Sequence, residues 1–131
     1  MRASEFRIGN YLRDKLTGEL LSLIELSENK YGFYVINRAK YPLHDGWEAE
    51  PIPLTEEWLL KFHSNDEIEK SVRFPNEITI YDRFLFIWKE AYKYWYVVTS
   101  NHKEYLTKIE FVHEYQNFIF ALTDTELIIK R

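Results

Sequence analysis

The chain has no cysteine, which excludes disulfides, thiol nucleophiles and thiolate metal sites together and fits a reducing compartment. Its four glycines, Gly9, Gly18, Gly32 and Gly46, are widely scattered. A loop that cradles phosphate needs glycines close together so that backbone amides can approach the anion, so nucleotide-binding fingerprints of the Walker and dinucleotide types are missing. Long apolar runs are missing too: the longest uncharged ones, such as Phe84 to Trp88 and Phe118 to Leu122, are about five residues. The opening MRASEFRIGN has no apolar core of a secretion signal, so neither a leader nor a spanning helix is expected, and a cytoplasmic location is.

What the chain has instead is aromatic surface. Its 131 residues include ten Tyr, nine Phe and four Trp, more than a core of this size needs, so some should reach the surface. Hydrophobic residues make up 46% of the chain, enough to bury a core at roughly 25 cal/mol per Å², and disorder is not expected. The formal charge of −4 argues against unspecific binding to a nucleic-acid backbone. Acids gather between residues 45 and 69, where eight stand against Lys61 alone. Such a stretch reads as a solvated face, with docking of a basic partner as the less frequent use.

The length fits one domain, 1–131. Residues 6–13, 19–27 and 31–37 read as strands of an antiparallel meander, with Asp14 and Gly18 turning the first pair and Asn29 the second. Residues 38–54 hold three of the four prolines and read as a connecting loop. Thr55 is a good N-cap for a helix at 56–63, with Glu56 and Glu57 in the first turn and Trp58, Leu59 and Phe62 on one stripe. Residues 64–71 read as a loop or frayed turn. From 78 an alternating pattern through Ile80, Phe84, Phe86 and Trp88 implies a strand. A hairpin then turns at Lys89–Ala91 on a connection longer than two residues, and Tyr92, Tyr94 and Tyr96 follow. A strand at 105–111, a short helix at 112–122 in preference to a strand, and a terminal strand at 126–130 complete the expectation. The fold class is α+β: a β-rich domain with an antiparallel meander or partly closed barrel-like sheet and one or two short helices.

Chemistry is thinly signalled. No two of His44, His63, His102 and His113 lie within helical or hairpin reach in sequence, so neither a metal nor a cofactor is expected. No nucleophile elbow supports a serine or threonine enzyme. The distinctive segment is YDRFLFIWKEAYKYWY at 81–96, half of it aromatic and interleaved with Arg83, Lys89 and Lys93. Aromatic faces beside cations can stack a ring and hold its phosphates. A two-faced hairpin with Phe84, Phe86 and Trp88 turned inward accounts for the same pattern. The candidate ligand-binding residues are Trp88, Lys89, Tyr92, Lys93, Tyr94, Trp95, Tyr96 and His102.

Three segments, RIGNYL at 7–12, PIPLTEEWLLKF at 51–62 and VHEYQNFIFALT at 112–123, resemble a family of uncharacterised phage- and prophage-associated proteins of Bacteroidetes. The FRIGNYL opening also resembles the start of SH3-like barrels. The resemblance singles out His113, Gln116 and Asn117. Three apart on a helix, His113 and Gln116 either form a polar site or satisfy backbone groups at the helix start. It implies no catalytic role, but it implies a phage setting, in which small proteins without enzyme motifs act by binding.

The leading expectation is a non-enzymatic phage accessory protein that sequesters a small nucleotide-like signalling ligand, such as one used in bacterial defence, or binds a host protein. The alternatives are an enzyme of unfamiliar type acting on a nucleotide or sugar, with His113 or His102 as general base, and a structural or assembly component that self-associates.

Overall fold

Alternating apolar residues and short turns carry most of the chain into antiparallel sheets. The computed structural model describes residues 6–15, 17–29, 32–37, 44–45 and 49–130. Along them run β1 (Tyr11–Asp14), β2 (Leu20–Asn29), β3 (Gly32–Asn37), β4 (His44–Asp45) and β5 (Ala49–Glu50), then helix α1 (Glu56–Phe62). They are followed by β6 (Ile68–Lys70), β7 (Glu77–Ile80), β8 (Phe84–Lys89), β9 (Tyr94–Thr99), β10 (Tyr105–Ile109) and helix α2 (Val112–Thr123). The α+β, β-rich, antiparallel class is as expected. The barrel-like closure is not found: the described strands make two open sheets, ordered β4-β3-β2-β1-β5 and β10-β9-β8-β7-β6.

The chain divides into two compact units, residues 1–53 with 111–128, and 54–110 with 129–131. In the first unit, Asp14 closes the β1–β2 turn: its Oδ1 accepts the Thr17 amide at 3.1 Å, and Gly18 takes a φ of +73°. β2 runs through Asn29, paired with Gly32 rather than standing in the turn expected of it; Lys30 and Tyr31 lie outside the described residues. So do 38–43 and 46–48 of the expected loop. Its remainder is not all loop, since β4 pairs with β3 and β5 with β1. Leu12, Leu21, Leu23 and Ala49 are fully buried and Phe6 nearly so.

Helix α2 opens with the Glu114 carboxylate accepting the Phe111 amide at 2.9 Å. It ends at Asp124 in the left-handed region, whose amide donates to Phe120 O. Residues 124–130 form no strand, contrary to the expected terminal strand. A side chain replaces a ladder there: buried Gln116 donates from Nε2 to Leu127 O at 3.1 Å and to Gly9 O at 3.0 Å. Its Oε1 accepts the Tyr11 amide at 2.9 Å. Gly9, at φ +98°, turns the RIGN loop so that its carbonyl meets that amide, a conformation costly for any residue with a Cβ.

In the second unit the Thr55 hydroxyl accepts the Trp58 amide at 3.3 Å and caps α1, as its residue type predicts. The helix buries Leu59 and Phe62. Residues 68–70, expected in a loop, are the edge strand β6, paired with β7. The apolar run from Ile78 to Trp88 is two strands, not one. Tyr81 and Asp82 both take positive φ, 56° and 55°, and reverse the chain without a glycine. The β8–β9 connection spans residues 90–93 and ends with Lys93 at φ 59°, longer than two residues as expected. Phe84, Phe86, Ile78, Ile80 and Val97 are buried on one face of this sheet.

Replacing Gln116 with leucine keeps the volume but leaves the Tyr11 amide and the Gly9 and Leu127 carbonyls without partners. At about 1 to 3 kcal/mol per stranded buried group, Gln116→Leu is expected to lower stability by about 3 kcal/mol, read as a drop in the urea midpoint with an unchanged slope.

Candidate functional site

Residues directly opposite one another in an antiparallel pair share a face, and the register of β8 with β9 sorts the aromatic segment by that rule. Trp88 pairs with Trp95, Phe86 with Val97, Ile87 with Tyr96 and Lys89 with Tyr94. The two tryptophans therefore lie on the face of Ile78 and Phe86, while Tyr94, Tyr96 and Lys89 lie on the other.

On the tryptophan side, Leu54, Thr55, Glu56, Pro75, Asn76, Ile78, Trp88 and Trp95 line a cleft of about 440 Å³, a volume suited to a small molecule. The indoles are 5.2 Å apart between centroids and tilted by 54°. Each N–H is engaged at its edge. Buried Trp95 donates to Leu54 O at 2.9 Å, and half-buried Trp88 donates to Glu90 Oε2 at 2.6 Å. Asn76 locks the wall by donating from Nδ2 to Trp88 O at 3.2 Å, while its own carbonyl accepts the Trp88 amide. Glu90 also accepts from Lys93. Lys93 and the Trp88 indole hold its carboxyl below the ordinary range. Glu56, in the first turn of α1, supplies the only ionisable group of the lining among the described residues, and its carboxylate meets Lys70 at 2.9 Å.

The opposite face is a tyrosine ladder. Tyr96 stacks on Tyr105 at 5.0 Å and Tyr92 on Tyr94 at 5.6 Å. Lys89 Nζ sits 5.6 Å above the Tyr96 ring and Lys108 Nζ 5.3 Å above that of Tyr94.

The sequence-derived candidates thus occupy separate places. Trp88 and Trp95 line the cleft; Lys89, Tyr92, Tyr94 and Tyr96 belong to the ladder. Lys93 is at the β8–β9 turn, and His102 is exposed in the β9–β10 turn. His113, Gln116 and Asn117 are on α2 in the first unit. There the His113 ring is buried 4.5 Å from that of Phe6. Asn117 Oδ1 accepts from Asn10 Nδ2 at 2.9 Å and from Arg7 Nη1 at 3.2 Å. Gln116 engages the backbone of the RIGN loop, of β1 and of the segment after α2, with Asn10 Nδ2 3.5 Å from its Oε1, rather than groups at the helix start. The acidic stretch is partly neutralised, Glu50 by Arg13 at 2.8 Å and Glu67 by Lys130 at 3.1 Å. Leu54, Glu56, Pro75, Asn76 and Ile78 were not among the sequence candidates. They reach the cleft only through pairing, although Thr55 and Glu56 were legible as a helix start.

A second polar cluster lies beside α1. The His63 side chain is wholly buried, with Nδ1 3.2 Å from Glu67 Oε1, and the Tyr81 ring meets it edge-on at 5.1 Å. Burial lowers the His63 pKa, outweighing the opposite pull of Glu67. Burial pushes the Glu67 carboxyl up, but Lys130, the Ser64 amide and His63 together hold it below its ordinary value. Tyr81 is raised, first by burial and then by Glu67. Among the described residues no three His, Asp or Glu side chains are grouped to hold a metal, and no helix is long and apolar enough to cross a membrane.

No protein-family model matches the chain, no curated protein matches it, and no solved structure matches its fold.

Because His63 is harder to protonate in the folded chain than in the unfolded one, its contribution is fully present above about pH 6.5 and is lost as pH falls from there towards its lowered native value. Urea midpoints are expected to fall between pH 7 and pH 5, and His63→Gln to flatten that fall. An unchanged pH profile in the variant would assign the slope to other groups.

Proposed function

We propose that the chain is a non-enzymatic accessory protein that sequesters a small ring-bearing molecule in the tryptophan cleft. The cleft carries the proposal. The Trp88 indole, part-exposed and tied at its edge to Glu90, offers its π-face as contact surface beside the buried Trp95 ring, and a fixed ring recognises a planar or cyclic ligand with little loss of side-chain entropy. The polar lining is sparse, as in sites that orient a ligand rather than transform it. Its hydroxyl, on Thr55, caps α1, and its carboxylate, on Glu56, is paired with Lys70, so neither is set up as an activated nucleophile or base.

The resemblance of three segments to phage and prophage proteins supplies the setting: the captured molecule would be made by the host, and its removal would serve the phage. A nucleotide-like signal is one member of this class. Its phosphates would have to be met outside the described lining, whose only charged group is Glu56.

A panel of host metabolites, nucleotides included, screened by thermal shift and ligand-observed NMR, should contain a binder that raises the melting temperature. Loss of a stacking ring costs about 1 to 3 kcal/mol, so Trp88→Ala should weaken that binder by at least about fivefold while unfolding stays cooperative. A binder returned chemically altered would favour an enzyme. Affinity untouched by Trp88→Ala would move the site elsewhere.

A further inference from the structure

Resting on that reading of the cleft, we infer that its ligand is an organic cation, a protonated amine or quaternary ammonium carried on an apolar body, held between the Trp88 indole face and the Glu56 carboxylate.

Three observations select the sign of the charge. Among the described residues the lining contains one carboxylate and no lysine, arginine or histidine, so an anion entering the cleft would lose hydration without gaining a counter-charge. The aromatic walls attract cations through the negative face of the ring, and tryptophan does so best. The hydrogen bonds described above strengthen that face, because an N–H donating to a carboxylate or carbonyl shifts electron density into the ring it belongs to. Trp88 donates to Glu90 at 2.6 Å and Trp95 to Leu54 O at 2.9 Å. The lysines that sit over aromatic rings on this sheet, Lys89 and Lys108, lie above Tyr96 and Tyr94 on the opposite face.

Lys70 does not line the cleft but pairs with Glu56, at side-chain exposures of 54% and 40%. A pair so open to solvent contributes little stability, and an entering ammonium can take its place on the carboxylate. Lys70 is therefore a competitor for the site, and removing it should help a cationic ligand and no other.

A charge series on one frame tests this with the full-length chain: 2-phenylethylamine, 2-phenylethanol and 3-phenylpropanoate, followed by tryptophan fluorescence and NMR titration, with adenosine monophosphate as the nucleotide arm. The amine should bind about tenfold more tightly than the alcohol, and the carboxylate more weakly than either. Glu56→Gln should bring the amine down to the affinity of the alcohol without moving the alcohol, and Lys70→Met should tighten the amine alone. Both positions are partly exposed at the surface, and each variant is checked for an unchanged unfolding midpoint. Amine and alcohol binding equally would overturn the charge assignment and leave the cleft as a binding site. Tighter binding of the carboxylate or of adenosine monophosphate would overturn it in favour of an anion. Failure of all four probes, with Trp88 signals unmoved, would remove the cleft reading itself.

Discussion

The buried hydrogen bond from the Trp95 indole to Leu54 O is the constraint on which the second unit is arranged. An indole N–H left without a partner in the interior is costly, so the residue that enters α1 must present its carbonyl to the ring. Satisfying that one donor brings the start of the helix to the sheet, orients the Trp95 ring, and sets Thr55 and Glu56 opposite Trp88. The cleft is what remains between these groups. Pro75 and Asn76, in the β6–β7 turn, close its far side, and the two hydrogen bonds between Asn76 and the Trp88 backbone hold that wall in register.

The first unit is organised by a comparable economy. Gln116 spends most of its amide on backbone groups from the RIGN loop, from the start of β1 and from the segment after α2, so one side chain stands in for a ladder that residues 124–130 do not form. Asn10, Asn117 and Arg7 extend the network, with Arg7 also reaching Glu126 and lying 3.7 Å above the Phe120 ring. Polar residues of this kind fix geometry more than they add stability.

Much of this was legible beforehand because local signals decided it. Thr55 as a cap, the acids of the first turn, and Asp14 with Gly18 each predict the structure found at their own positions. The errors came where partners distant in sequence decide. Ile68–Lys70 has little strand character alone and is a strand because β7 offers an edge. Tyr81 and Asp82 turn without glycine, so the reversal left no mark in composition. For the aromatic segment the two-faced hairpin is the arrangement found, with Phe84, Phe86 and Trp88 on one face and Lys89, Tyr94 and Tyr96 on the other, so the ligand candidates drawn from 88–96 fall on both faces. Strict alternation already separates Trp95 from Tyr94 and Tyr96. What alternation could not supply was the pairing register that sets Trp88 beside Trp95, nor the loop carbonyl and turn residues that complete the cleft.

The route of the backbone has a consequence for how such a molecule can arise or be remade. Residues 54–110 interrupt the first unit, and the ends of the interruption touch, since the Leu54 amide donates to Glu110 O at 2.9 Å. A segment with adjoining ends can be spliced into a surface turn, or exchanged for another with the same end spacing, without stretching the host. The return of the C-terminus, where the Lys130 amide donates to Lys61 O at 2.8 Å, adds a tether to that cassette. A graft that carried residues 54–110 alone would leave the end of α1 without it.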